Sequence, residues 1–252
     1  MTTLSSPLIY LVIPAYREAS RIMSLLHDLE ELADELKPLV VQIVEDSGPG
    51  EDRERTLKKI SPVLERSDLF LPALLPEENL GKGGAVRFGW NAAPEKAQWL
   101  GFVDADGSIC AAEILRLVKE VRSSGDEAAY FGSRIRMLGR DVDRELHRHL
   151  IGRVFATISS ITSGIACYDS QCGLKIFPAN ALRPLLPQFR ENGFAFDLEL
   201  LAFLTDAEVP IREFPVDWHE VSGSSVNMFS DPLKMYLAMT KIQKRRRSVD
   251  TG

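Results

Sequence analysis

Cysteine is scarce: Cys110, Cys167 and Cys172 are the only three in 252 residues. An odd count without metal-type pairing argues against a disulfide scaffold and for a reducing compartment, taken here as cytoplasmic. Long apolar runs are missing as well. A long uncharged stretch, residues 154–168, contains Thr, Ser and Gly. It falls short of the roughly 20 apolar residues that a spanning helix needs. The first seven residues place no cation ahead of an apolar stretch, so no secretory signal is read there. A surplus of positive charge is lacking too: 30 Lys+Arg face 36 Asp+Glu, a net charge of −6. Nucleic-acid binding wants a basic surface, so no nucleic-acid partner is expected. Repeats, linkers and low-complexity tracts are also absent, and one domain over residues 1–252 is the simplest organisation.

Short apolar runs alternating with amphipathic ones fill the first half. Leu8-Ile9-Tyr10-Leu11-Val12-Ile13 reads as a buried strand stopped by Pro14. Residues 20–36 set Ile22, Leu25, Leu26, Leu29, Leu32, Ala33 and Leu36 at helical spacing, and Pro38 ends them. Val40-Val41-Gln42-Ile43-Val44 is a second strand, with a charged helix after it to about Arg66. Residues 69–75 read as a third strand, which Pro72 places at an edge or an end. A helix over 84–93, a strand Trp99-Leu100-Gly101-Phe102-Val103 and a helix over 112–122 complete four strand–helix units. Such a series builds a Rossmann-like parallel sheet with helices on both faces. The second half predicts strands over 129–133, 173–177 and 209–218. Its helices are predicted over 143–165, over 195–205 and from about Asp231.

In such sheets ligands bind outside the carboxyl ends of the strands. Acidic residues follow three of them: Glu18 after the first, Glu45-Asp46 after the second and Asp104-Ala105-Asp106 after the fourth. Two carboxylates two residues apart at a strand end can share a hard cation such as Mg²⁺, which in turn holds a diphosphate. A carboxylate at Asp46 can accept the imide N–H of a uracil or bind a ribose or guanine edge. Pro14-Ala15-Tyr16 is no dinucleotide fingerprint, which removes the main support for hydride chemistry. Asn79-Leu80-Gly81-Lys82-Gly83-Gly84-Ala85-Val86-Arg87 lacks the spacing and the Ser/Thr of a P-loop. Its glycines still admit a ligand close to the backbone at an anion-favouring helix start, with Lys82 and Arg87 adding charge.

Taken in order, these motifs resemble the family 2 glycosyltransferases of the GT-A fold. Asp169-Ser170-Gln171-Cys172-Gly173-Leu174-Lys175, Phe196-Asp197-Leu198-Glu199 and Trp218-His219-Glu220-Val221-Ser222-Gly223-Ser224 look like the dolichyl-phosphate glucosyltransferase branch. The dolichyl-phosphate mannosyltransferases are the next relatives. The resemblance implies a GT-A fold with a mostly parallel central sheet. It also implies a nucleotide-sugar half over about 8–125 and an acceptor half over about 126–247. Pro14, Tyr16, Glu18, Glu45, Asp46, Lys82 and Asp104 would line the donor pocket. Asp104 and Asp106 would hold Mg²⁺ or Mn²⁺. Lys175 would meet a phosphate, and Asp197 and Glu199 would lie where an acceptor-side acid is expected. Two features depart from the family pattern: Glu45-Asp46 stands where two aspartates are usual, and Ser47-Gly48 reverses the usual order.

The implied reaction is a single displacement with inversion, from UDP-glucose or alternatively GDP-mannose to a polyprenyl phosphate. A lipid phosphate is already anionic near neutral pH and needs cations rather than a base; Lys175, Arg134, Arg148 and Arg153 are the candidates. A sugar or peptide hydroxyl would need a carboxylate base instead, with Asp197 first and Glu199 second. A nucleotidyltransferase and a non-catalytic nucleotide-sugar binder are the competing classes. The last helix sets Leu233, Met235, Leu237 and Met239 beside Lys241, Lys244, Arg245, Arg246 and Arg247. That combination suits either packing on the core or contact with an anionic membrane surface.

Overall fold

The strands are β1 (Ile9–Ala15), β2 (Leu39–Glu45), β3 (Trp99–Val103), β4 (Ala129–Ser133), β5 (Val142–Asp143), β6 (Leu174–Pro178), β7 (Ile211–Pro215) and β8 (Trp218–His219). Six of them form one sheet in the order β2-β1-β3-β6-β4-β7, while β5 and β8 pair separately. The computed structural model describes residues 7–135, 137, 139–143, 167–221 and 231–249, with the backbone alone at 143, 231–236 and 247–249. The helix predicted over 143–165, with Arg148 and Arg153, lies outside the described residues but for Asp143, which belongs to β5.

β1 pairs in parallel with β2 and β3, and β4 with β7. β6 runs antiparallel to both β3 and β4. The sheet is therefore mixed, which four strand–helix units did not foretell. The inversion has a consequence for the site. Leu174, the first residue of β6, pairs with Val103, the last of β3. The residues just before β6 thus lie at the end where the parallel strands finish.

Two local expectations are corrected. Pro14 does not stop β1, which runs on to pair Pro14 with Val44 and Ala15 with Glu45. The missing N–H of Pro14 falls beyond the β1–β3 ladder, which ends at Val12 and Phe102, so no bond to β3 is lost. Residues 69–75 form no full strand. They make two isolated parallel bridges, Val41 to Phe70 and Val44 to Leu74, along the outer edge of β2. Pro72 interrupts the ladder between them, and its carbonyl accepts from Gln42 Nε2 at 2.7 Å.

Both sheet faces are covered, so β1 is apolar on each side. Ile9, Leu11 and Ile13 face one core with α1 (Ile22–Glu31), α3 (Glu51–Arg66) and α5 (Ala111–Ser124). A short α2 (Ala33–Leu36) follows α1 after a break at Leu32. Tyr10 and Val12 face the other core with α4 (Gly81–Asn91). After β6 come α6 (Ala179–Leu182) and a 3₁₀ turn (Arg183–Gln188), then α7 (Phe196–Asp206), which also packs on this second face. Trp90 anchors it: its indole N–H donates to the Gly101 carbonyl at 2.9 Å, and Phe177 meets it edge-on at 5.7 Å.

The last helix, α8 (Asp231–Val249), packs Met239 and Ile242 on Leu198 and Ala202 of α7. Arg245 pairs with Glu191 and Glu199, and Arg246 with Asp206. Two cations of the basic cluster are therefore paired within the chain, while Lys241, Lys244 and Leu237 remain exposed. Among the described residues no helix is long and apolar enough to cross a membrane.

A methyl group at Gly101 would sit 2.7 Å from the Lys175 carbonyl oxygen and 3.1 Å from Leu11 Cδ1. Gly101→Ala is expected to cost about 1–3 kcal/mol through overpacking, read as a lower urea midpoint. An unchanged midpoint would show that the β3–β6 contact is loose.

Candidate active site

The ends of β1, β2 and β3 and the start of β6 bring four segments together: 16–18, 46–48, 104–107 and 172–173. Asp46 fastens three parts of this rim. Its N–H donates to the Ala15 carbonyl at 2.7 Å. Its Oδ1 accepts the Leu80 N–H at 2.7 Å, and its Oδ2 accepts from Asn79 Nδ2 at 3.0 Å. The first turn of α4 is thereby tied to the end of β2. Burial pushes the Asp46 carboxyl up to about 6, with the amides of Leu80 and Gly81 pulling the other way.

Asp104 follows β3. Its N–H donates to the Gly173 carbonyl at 2.9 Å. A Cβ at Gly173 would lie 2.1 Å from the Asp104 carboxylate, so only glycine fits beside it. Lys82, the second residue of α4, places Nζ 2.9 Å from Asp104 Oδ1 and 3.4 Å from Asp197 Oδ2. Burial opposes the charge on Lys82, but the two carboxylates outweigh it and hold its pKa above the usual lysine value. Behind them Lys175 donates to Asp197 Oδ1 at 2.7 Å and to the Cys172 carbonyl at 2.6 Å. Its ammonium also lies 5.2 Å from the ring centres of both Phe102 and Phe131. Four charges thus alternate from the interior outward: Lys175, Asp197, Lys82, Asp104.

This line corrects two expected roles. Lys175 is 0% exposed and faces Asp197, so it does not meet a phosphate. Asp197 is 1% exposed and held between two ammonium groups, which does not suit a general base. Glu199, two residues along α7, faces elsewhere, as its spacing from Asp197 requires. It is fully buried and accepts the N–H groups of Arg190 and Glu191, so it is no base either. Glu45 is turned inward too: Arg53 Nε donates to it at 3.0 Å and Ser47 Oγ at 2.5 Å. It braces the loop after β2, and Asp46 beside it is itself only 2% exposed.

Tyr16 stands 44% exposed just after β1, and Pro14 is the strand's last residue but one. Glu18 is held by Arg21 Nε at 2.7 Å. Burial raises its carboxyl, Arg21 opposes this, and Asp106 and Asp104 add to it. Glu18, Asp104 and Asp106 therefore lie close to one another, with Arg21 paired to the first and Lys82 to the second. Asp106 Oδ1 accepts the Ser108 N–H at 2.9 Å, which aims the Asp106–Gly107 turn. Among the described residues no three His, Cys, Asp or Glu side chains could hold a metal ion by themselves. Two oxygen-only ligands do suit a hard cation whose remaining partners are diphosphate and water.

Late in the chain, the His219 N–H donates to the Ser108 carbonyl at 3.0 Å, which brings the Trp218-His219-Glu220 stretch to the rim. Arg134 forks onto Asp169 at 2.6 and 2.7 Å and lies 5.6 Å over the Trp218 ring. It is a braced cation rather than a free one. Ser222, Gly223 and Ser224 lie outside the described residues. Arg53 and Arg21, the partners of Glu45 and Glu18, were not predicted; they belong to no motif, and only the folded chain sets them against these carboxylates.

A family model for glycosyl transferase family 2 matches residues 10–192. The chain belongs to this family. Dolichyl-phosphate beta-glucosyltransferase of Saccharomyces cerevisiae is 29% identical over 237 residues, covering 89% of this chain and 70% of the relative. The protein of the same description from Dictyostelium discoideum is 28% identical, covering 93% and 73%. Among solved structures, glucosyl-3-phosphoglycerate synthase from Mycobacterium tuberculosis in complex with UDP aligns at a TM-score of 0.66. Its identity is 16%, over 94% of this chain and 80% of that one. Mannosyl-3-phosphoglycerate synthase from Rubrobacter xylanophilus aligns at 0.67 and 11% identity, over 97% and 75%. At these identities the structures establish the shared GT-A fold of this family 2 glycosyltransferase.

Two measurements probe the charged line and the rim. Lys175→Met leaves a buried carboxylate short of a cation and is expected to lose about 3–5 kcal/mol in chemical denaturation. The Lys175→Met/Asp197→Leu double variant should lose less than Lys175→Met alone; a larger loss would mean the pair is not coupled. Asp46 binds its proton more tightly folded than unfolded, its unfolded value being near 3.8. Its contribution therefore adds stability as pH falls from about 6 towards about 4 and withdraws it as pH rises. Asp46→Asn should flatten that part of the stability–pH curve; an unaltered slope between about pH 4 and about pH 6 would contradict the assignment.

Proposed function

We propose that this family 2 glycosyltransferase moves glucose from UDP-glucose to a polyprenyl phosphate of the dolichyl type, with inversion at the anomeric carbon. The named relatives support the sugar and the acceptor class. One observation of the site supports the phosphate acceptor in particular: the two carboxylates expected to serve as a base, Asp197 and Glu199, are both buried and engaged. A phosphate monoester is largely anionic near neutral pH and requires no base. A hydroxyl acceptor would require one.

The roles follow from the rim. Tyr16 presents its exposed ring for the nucleobase, and Asp46 supplies a carboxylate at the end of β2 to orient the nucleoside. Lys82, at the positive end of α4, is aimed at the diphosphate. Asp104 and Asp106 would hold Mg²⁺ or Mn²⁺, whose charge, when it is bound, offsets the negative charge that develops on the leaving diphosphate. The rim formed by Asp104–Gly107 and Trp218–Glu220 is where the acceptor phosphate would arrive. Arg134 is poised there by Asp169. Lys241, Lys244 and Leu237, exposed along α8, are the described groups left for contact with an anionic bilayer. The whole chain is taken as one domain, with residues 8–125 on the donor side and 126–247 on the acceptor side.

Transfer of labelled glucose from UDP-glucose to a short polyprenyl phosphate tests this reading, with Mg²⁺ or Mn²⁺ supplied and then chelated. Asp106→Asn should abolish transfer and remove the cation dependence of UDP binding while the thermal melt stays intact. Full turnover by the purified variant would sink the metal assignment. Transfer from GDP-mannose in preference would move the donor to the runner-up. Glycosylation of a soluble sugar or peptide hydroxyl instead would overturn the acceptor.

A further inference from the structure

The C-terminal helix holds a contact that the proposed chemistry leaves unused. Glu199 is fully buried on α7. Its Oε1 accepts the Arg190 N–H at 2.9 Å, and its Oε2 accepts the Glu191 N–H at 2.9 Å. Arg245 of α8 brings Nη2 to 2.8 Å from Glu199 Oε1 and to 2.9 Å from Glu191 Oε1. One guanidinium therefore grips both the buried carboxylate and the segment hanging from it.

That segment lies directly on the first turn of α4. The Gly83 N–H donates to the Asn192 carbonyl at 2.7 Å. Arg87 donates to the Glu191 carbonyl at 2.6 Å and also to Asn192 Oδ1. A Cβ at Gly81 would stand 2.7 Å from the Asn192 carbonyl oxygen, and one at Gly83 would stand 2.5 Å from that of Glu191. The two glycines are what admit the segment. Lys82 sits between them and carries its ammonium to Asp104 at 2.9 Å.

We propose that Arg245 is a positioning residue for the donor site: through Glu199 and Glu191 it presses residues 190–192 onto α4 and so fixes Lys82 beside the donor diphosphate. This inference rests on the donor-site reading above. The family match ends at residue 192, so the helix that supplies Arg245 lies beyond the matched region. Of the basic tail, Arg245 thus serves the interior of the enzyme. The physical coupling is electrostatic. Removing Arg245 takes the nearest cation from a carboxylate whose affinity for a proton is already raised by burial. Without the guanidinium, Glu199 and Glu191 lose the group that joins them, and the segment loosens.

The test is calorimetric titration of the full chain with UDP and Mn²⁺, alongside thermal melts. Arg245→Gln is expected to weaken UDP binding about tenfold, with Arg245→Lys recovering most of it. In a Lys82→Met background, Arg245→Gln should add little further loss, because Lys82 is the group through which Arg245 acts. Should Arg245→Gln fail to fold, Glu191→Gln removes one of the two contacts and is expected to weaken UDP about threefold, again with no added effect beside Lys82→Met. Unchanged affinity in the folded variant, or the same fold-loss with and without Lys82, would overturn the inference while leaving the donor reading intact. Wild-type protein that binds neither UDP nor GDP would overturn the donor reading, and this inference with it.

Discussion

Burying a charge is costly unless an opposite charge lies against it, and the site is built around that constraint. Lys175 of β6 is fully buried, and Asp197, a backbone carbonyl and two aromatic faces offset its charge. Asp197 in turn faces Lys82, and Lys82 faces Asp104. Each member fixes the next, so the position of the outermost carboxylate is set from inside the protein. That is a different use of charge from acid–base catalysis. It orients groups without asking them to exchange protons.

The inverted strand makes this line possible. β6 runs against β3 and β4, so its first residues lie beside the end of β3 rather than at the far edge of the sheet. Gly173 can then touch the Asp104 backbone and leave room for its carboxylate. Asp46 does the corresponding work on the other side, tying β1, β2 and the glycine-rich start of α4 into one rim. Residues from widely separated parts of the chain are held together by bonds that no single loop could supply.

The same division separates two kinds of acidic residue in this family 2 glycosyltransferase. Glu18, Asp104 and Asp106 gather at the rim, where a cation and a diphosphate can be received. Glu45, Asp197 and Glu199 are turned inward to Arg53, to two lysines and to Arg245.

Much was legible in the sequence. Residue periodicity placed the strands Trp99–Val103 and Ala129–Ser133, because apolar runs must be buried wherever they fall in the chain. Acidic residues after successive strands marked the rim, because parallel strands with helical crossovers finish at a common edge. The sequence by itself thus determined the layered fold class and the family motifs. Direction and partnership were decided only by the tertiary structure. Nothing in Leu174–Pro178 states that it runs antiparallel, and Pro14 stops a strand or continues it according to where its neighbour's ladder ends. Lys175 looks like a phosphate ligand and Arg245 like a solvated tail until Asp197 and Glu199 are seen against them. A charged side chain carries no record of its counter-charge, since that partner is chosen by distances that exist only after the chain has folded.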